Sequence, residues 1–255
     1  MLTHIEDAEP ATWEDLEIHV THILAEAGLR AERGASLPTA RGSVNVDVYV
    51  EDDTFTPPVV TLFECKHWRR PIPQTVAHAF RTVVADSGAN AGIIVSLSGF
   101  QAGAEKAVQF SNVHLVDWDV FQALFADRWY RNYVMRRGWE SLDPLAEYTE
   151  PINSRIFRKA DSLPVTAREA FKRLRAKHAV PAMVLTPVFF GFPYMPSETK
   201  PPPLPLRRAL ANLDEIRYFP DAILDATSLR GFLNAVIAYA DEAVAEFDAV
   251  FGSRA

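Results

Sequence analysis

The chain has 255 residues, 48% hydrophobic and 23% charged, which is enough apolar mass for a packed core. It holds no run of about 18 apolar residues, so no transmembrane helix and no membrane partner are expected. Its single cysteine, Cys65, excludes an internal disulfide framework and any Cys-rich zinc site. The opening MLTHIEDAEP is acidic and lacks the apolar core of a secretion signal, so a cytoplasmic location is expected. The net charge of −7 argues against a general nucleic-acid binder. Its distribution is uneven: residues 1–60 carry 12 acids and 3 bases, while 153–177 carries 8 bases and 2 acids. That basic stretch reads either as a nucleic-acid contact or as a solvated helix face.

Along the chain, residues 12–27 are predicted to form an amphipathic helix. Trp13, Leu16, Val20, Ile23, Leu24 and Ala27 fall on one stripe, with Thr12 as N-cap, Asp15 in the capping-box position and Gly28 as the stop. Residues 43–50 alternate strictly, with Val44, Val46, Val48 and Val50 on one strand face and Asn45, Asp47 and Tyr49 on the other. A second strand, 59–66, is expected to pair with it as a hairpin across an eight-residue connection. A helix at 74–86, a buried strand at 91–97, a short helix at 100–110, a strand at 113–116 and a helix at 119–133, with Asp119 near its cap, complete the first half. This α-β-β-α-β-α-β-α order implies an α/β domain with a mixed sheet flanked by helices, over residues 1–137. Residues 138–255 are expected to be a smaller, mainly helical α+β region for recognition or oligomerisation. There, 139–165 reads as linker and small elements, and helices are expected at 166–177, 206–215 and 228–251. The apolar run 180–192 reads as one or two strands, and the six prolines of 193–205 as an extended loop.

The chemistry-bearing segment is Asp47 with Glu64-Cys65-Lys66. Residues two apart on a strand share a face, so Glu64 and Lys66 point one way and Cys65 the other. If the hairpin pairs in register, Asp47 joins Glu64 and Lys66. Two adjacent carboxylates are tolerable around a divalent cation. A neighbouring lysine orients or deprotonates a water and stabilises a phosphoryl group in transfer. By spacing alone, Glu-x-Lys is more often a cross-strand charge pair or a solvated strand edge.

The segments WEDLEIHVTHILAEAGL, RGSVNVDVYV, FECKHWRRPIPQTVAHAFRTVVADSGANAGIIVSLSGFQAGAEKAV and NVHLVDWDVFQ resemble the Mrr-like restriction endonucleases of the PD-(D/E)XK nuclease superfamily. The resemblance covers residues 12–126. It implies a restriction-endonuclease-like fold and a Mg²⁺-dependent DNA endonuclease of restriction or phage defence, with Mn²⁺ as a substitute. Asp47, Glu64 and the Cys65 backbone carbonyl would hold the metal, and Lys66 would act on the attacking water. The proline that usually precedes the first acid is replaced by Val46. The family's first helix also supplies a glutamate near the metal. Glu17, about 70° from the centre of the apolar stripe, fits better than Glu14, at about 130°.

Arg69, Arg70, Gln74, His78 and Arg81 are candidate nucleic-acid contacts, the last three on one helix face; the alternative is an ordinary polar surface. DNA is the expected substrate. A homodimer is expected because cutting both strands takes two sites, and a defence-system partner is also implied. A structure-selective nuclease, an RNase, and a nuclease-like binding subunit of a defence complex stand as alternatives.

Overall fold

The structure, a computed structural model, describes residues 4–190, 200–212 and 214–252. Its contacts divide it into two compact units, one of residues 8–129 with His4, the other of residues 5–7 and those from Tyr130 onward. The division falls at Trp129–Tyr130 rather than near 137, because adjacent residues serve different cores. The Trp129 indole donates to Glu26 Oε2 at 2.7 Å in the first unit, whereas the Tyr130 hydroxyl donates to the Val188 carbonyl in the second.

In the first unit, α1 (Trp13–Glu26) starts at Thr12, whose hydroxyl accepts from the Asp15 amide while the Asp15 carboxylate accepts from the Thr12 amide. This reciprocal cap satisfies two of the helix's orphan donors. Leu16, Val20, Ile23 and Leu24 are buried as the stripe predicts, but Trp13 is 62% exposed.

The next strands form a long bent hairpin. Its halves are β1 (Arg30–Arg33) with β4 (Val48–Asp52), and β2 (Ser36–Thr39) with β3 (Gly42–Asn45). One register runs through both halves, with Arg33 opposite Val48 and Ser36 opposite Asn45. The single strand expected at 43–50 is therefore broken at Val46–Asp47. Val46 packs with Leu62, Ile94 and Phe80, while Val48 sits opposite Phe63 on the other face of the sheet. The four valines do not form one ladder.

β5 (Val59–Lys66) pairs antiparallel with β4 across six residues, not eight. Beyond it lie β6 (Ala91–Ser96) and β7 (Val113–Asp117), both parallel, giving the order β1-β4-β5-β6-β7. The crossovers are α2 (Gln74–Ser87) and α3 (Ala102–Val108). α2 approaches so closely that a Cβ on Gly92 would lie 2.5 Å from Val84 Cγ2. α4 (Trp118–Trp129) is capped by Asp117, whose Oδ1 accepts from the Val120 amide at 2.8 Å; Asp119 lies within the first turn, 3.6 Å from His4. On this side Phe63 meets Phe121 edge-on at 6.2 Å. The mixed sheet, covered by helices, is the α/β arrangement expected for the first half of the chain.

Among its described residues, the regular elements of the second unit are all helical. A π-helical turn, Tyr130–Val134, leads into α5 (Met135–Thr149), α6 (Ser154–Asp161), α7 (Val165–Phe190), α8 (Leu206–Ala209), α9 (Asp221–Leu224) and α10 (Leu229–Phe251), with a 3₁₀ turn at Asp214–Tyr218. Residues 139–165 thus hold two helices rather than linker, and the helix expected at 206–215 is one short turn. The run expected as strand continues α7. Its buried residues His178, Ala182, Leu185 and Phe189 recur at helical spacing, a stripe that the apolar residues between them conceal. Residues 191–192 of that run, and 193–199 of the proline-rich segment, lie outside the described residues. No described helix is long and apolar enough to cross a membrane.

Candidate functional site

The site forms at the C-terminal end of β5, where the bent hairpin brings Asp47 alongside. Asp47 Oδ2 accepts the Cys65 amide at 2.7 Å, so the carboxylate is clamped to the backbone of the Glu-Cys-Lys triplet. The Lys66 ammonium is 3.8 Å from that same oxygen. It ion-pairs with Glu64 Oε1 and donates to the Cys65 carbonyl at 3.5 Å. One cation therefore faces two carboxylates and one peptide oxygen, supplied by β5 and by the break between β3 and β4. All three side chains are mostly buried.

Burial raises the Glu64 carboxyl above the usual carboxylate range; repulsion from Asp47 adds to this and Lys66 opposes it. Burial is also the main cause that holds the Cys65 thiol well above its ordinary value, with Asp47, Glu17 and Glu64 reinforcing it. The sulfur therefore stays protonated at neutral pH, and the hydrogen bonds of Cys65 to the cluster come from its backbone.

Glu17 projects from α1 towards this region without joining the pair. Its carboxyl is raised by burial and then by the nearby Asp47. Its Oε2 lies 3.9 Å from Arg33 Nη1, and Glu14 lies 3.6 Å from the same nitrogen. Among the described residues, no three His, Cys, Asp or Glu side chains converge closely enough to hold a metal. The donor set that does converge is Asp47, Glu64 and the Cys65 carbonyl, around a position that the Lys66 ammonium fills. Such hard oxygen donors suit a divalent cation that keeps waters of its own.

The other candidates separate. Arg69 and Arg70 are exposed in the loop after β5, and Gln74 and His78 are exposed on α2. Arg81 is half-buried and donates to the Ala107 carbonyl at 2.6 Å. His78 and Arg81 line a surface hollow with Arg41, Asp86 and Phe110. The i, i+4, i+7 spacing sets Gln74, His78 and Arg81 along one side of α2. α2 runs back antiparallel to β5, and seven residues of helix carry Arg81 about 10 Å from Gln74.

Arg33 was not anticipated, since it lies on a strand that the sequence pattern does not announce. Nor was the tie between the two segments flanking the cluster: the His67 imidazole donates to the Pro10 carbonyl at 3.1 Å.

Residues 8–125 match a family model, the Mrr catalytic domain, described as a restriction endonuclease. The first unit is a Mrr-type restriction-endonuclease domain. The match spans all five strands of its sheet and the Asp47–Glu64–Lys66 cluster. Mrr-type domains belong to the PD-(D/E)XK nucleases, which generally use divalent metal ions. No curated protein sequence matches the chain. A crystal structure of a protein of unknown function, AF1548, aligns over 90% of this chain and 96% of that one, at 14% identity and a TM-score of 0.36. That likeness is too remote to bear on activity.

Proposed function

We propose that the protein is a Mg²⁺-dependent endonuclease that hydrolyses DNA phosphodiester bonds in restriction or phage defence. The observation that carries this reading is the convergence of Asp47, Glu64 and the Cys65 carbonyl on one cation position within a Mrr-type domain. Asp47, Glu64 and that carbonyl would hold the metal, and Mn²⁺ would substitute for Mg²⁺. When bound, the ion supplies charge neutralisation at the phosphate and a more acidic water.

The protein's own groups do the rest. The Cys65 amide fixes the Asp47 carboxylate. Lys66, released from the carboxylates, holds a water for in-line attack and offers positive charge to the phosphoryl oxygens. Glu17 adds a negative charge, held back by Arg33, on the α1 side. Arg69 and Arg70 meet the phosphate backbone. A homodimer would give the second site needed to cut both strands, and residues 138–255 would provide recognition, oligomerisation or contact with a defence partner.

The test is cleavage of supercoiled plasmid with Mg²⁺, with EDTA and the Lys66→Ala protein as controls. Nicking or linearisation by the wild type alone, and only with metal, supports the reading. Cleavage that survives EDTA or Lys66→Ala overturns it.

A further inference from the structure

Two of the five tryptophans stand in solvent: Trp13 is 62% exposed and Trp68 46%, whereas Trp118 and Trp129 are buried and Trp139 is half-buried. Both exposed indoles belong to segments that build the cleavage site. Trp68 follows Lys66 by two residues. Trp13 precedes Glu17 by four, so the two share a face of α1. The two segments are tied together by the His67–Pro10 bond at 3.1 Å.

Trp13 is the anomaly. It lies on the apolar stripe of α1, yet Leu16, Val20, Ile23 and Leu24 of that stripe are fully buried while the indole is not. A ring that keeps 62% of its surface exposed returns little of the burial energy that the rest of the stripe gains. The surroundings show what such a ring suits. Trp68 is followed by exposed Arg69 and Arg70, so an aromatic face adjoins two positive charges just after Lys66 in the chain. Single-stranded nucleic acid is bound by this combination, with bases stacked on aromatic rings and phosphates neutralised by arginine. Bases in an intact duplex keep their faces stacked on one another and offer no such contact.

We infer that Trp13 and Trp68 form a stacking platform for unpaired nucleobases at the scissile bond, with Arg69 and Arg70 on the adjoining phosphates. The preferred substrate is then nucleic acid that is single-stranded or locally unpaired where it is cut. This deepens the nuclease reading and, for the cleavage step, rests on it.

Binding is measured first without cleavage, in EDTA at fixed salt. Fluorescein-labelled single-stranded oligonucleotide and its paired duplex are titrated by anisotropy, with intrinsic tryptophan emission followed for the wild type. The wild type binds the single strand more tightly than the duplex, with quenched emission. Trp68→Ala and Trp13→Ala each weaken single-strand binding about tenfold, and Trp68→Phe restores most of it. Phe55→Ala, which removes an equally exposed aromatic from the loop before β5, leaves binding unchanged. Cleavage of a bubble-containing duplex is then compared with that of the fully paired one in Mg²⁺. The bubble is cut faster, and the ratio falls in both alanine variants.

Equal wild-type affinity for strand and duplex overturns the proposal, as does unchanged single-strand affinity in both alanine variants. It is also overturned if, without oligonucleotide, wild-type emission shifts to the blue as protein concentration rises, because a second copy then covers the indoles. Quenching and variant effects as expected, with no cutting in Mg²⁺, would support the platform while removing the nuclease reading.

Discussion

Gly34 donates its amide to the Asp47 carbonyl at 2.9 Å, at the point where both strands of the long hairpin bend. Gly34 has φ of +68°, and an added Cβ would meet nothing within 4 Å. Its constraint is thus conformational rather than steric: an L-residue in the left-handed region costs about 1–2 kcal/mol. Gly34→Ala should lower stability by about that amount and reduce cleavage, because the bend aims Asp47 at the Cys65 amide. Gly34→Asn, which tolerates this backbone better, should recover much of the loss. Urea unfolding and plasmid cleavage on the two variants check this.

Lys66→Ala should fold normally and lose cleavage by roughly 10²–10⁴-fold, the range for loss of a proton-handling group. Glu64→Gln should lose cleavage too, and also weaken the stabilisation that divalent metal confers. The separating measurement is the rise in melting temperature with added Mn²⁺. Removing the ammonium that competes for the carboxylates should preserve or enlarge that rise in Lys66→Ala, whereas Glu64→Gln should diminish it.

Acid stability of the first unit should depend on Asp52. Arg128 grips both its oxygens, Nη1 to Oδ2 at 2.5 Å and Nη2 to Oδ1 at 3.2 Å. The hydrogen bond from Arg128 lowers the Asp52 carboxyl from 3.8 to about 2. A carboxyl depressed by folding stabilises the native state fully above its unfolded value, and the contribution disappears as pH falls towards 2. The shift corresponds to about 2 kcal/mol. Asp52→Asn should therefore be destabilised at pH 7, and the gap to wild type should narrow between pH 4 and 2. Denaturant unfolding across that range reads the gap.

Gly92→Ala should destabilise by about 1–3 kcal/mol, the usual range for an overpacked core. The new methyl would lie 2.5 Å from Val84 Cγ2 and 2.8 Å from Phe80 Cε1, pushing α2 off the sheet. Val84→Ala in the same protein should relieve part of this, and a double-mutant cycle on urea midpoints measures the relief.

The basic stretch 153–177 should divide by role. Arg175 donates to the Tyr148 and Glu150 carbonyls, and Lys177 bridges to Glu246 at 2.7 Å. Arg175→Ala should destabilise the second unit, leaving carbonyls at the end of α5 without that donor. Arg173 is exposed. If the stretch meets DNA, Arg173→Ala should reduce the slope of log K against log salt by about 0.9 for each phosphate that the guanidinium neutralises. Lys177→Ala should leave the slope unchanged.

What the sequence determined by itself was local. The Thr12–Asp15 cap, the α1 stripe, the 59–66 strand and the crossover helices are written in spacings of two and three to four residues, which the backbone obeys regardless of context. The pairing of Glu64 with Lys66 follows from the same parity, and the VDV and ECK segments carried the family resemblance. What only the tertiary structure decided depends on contacts distant in sequence. β1 and β2 announce no strand, because β1 is a charged edge strand, β2 is interrupted by Pro38, and both bury little. The valine ladder breaks at Asp47, because its two halves lie on opposite faces of the sheet around a bend that Gly34 permits. α7 hides its stripe in a run apolar all round. Trp13 stays 62% exposed on a stripe that the pattern would bury. Burial belongs to the assembled surface, and no periodicity in the chain encodes where that surface ends.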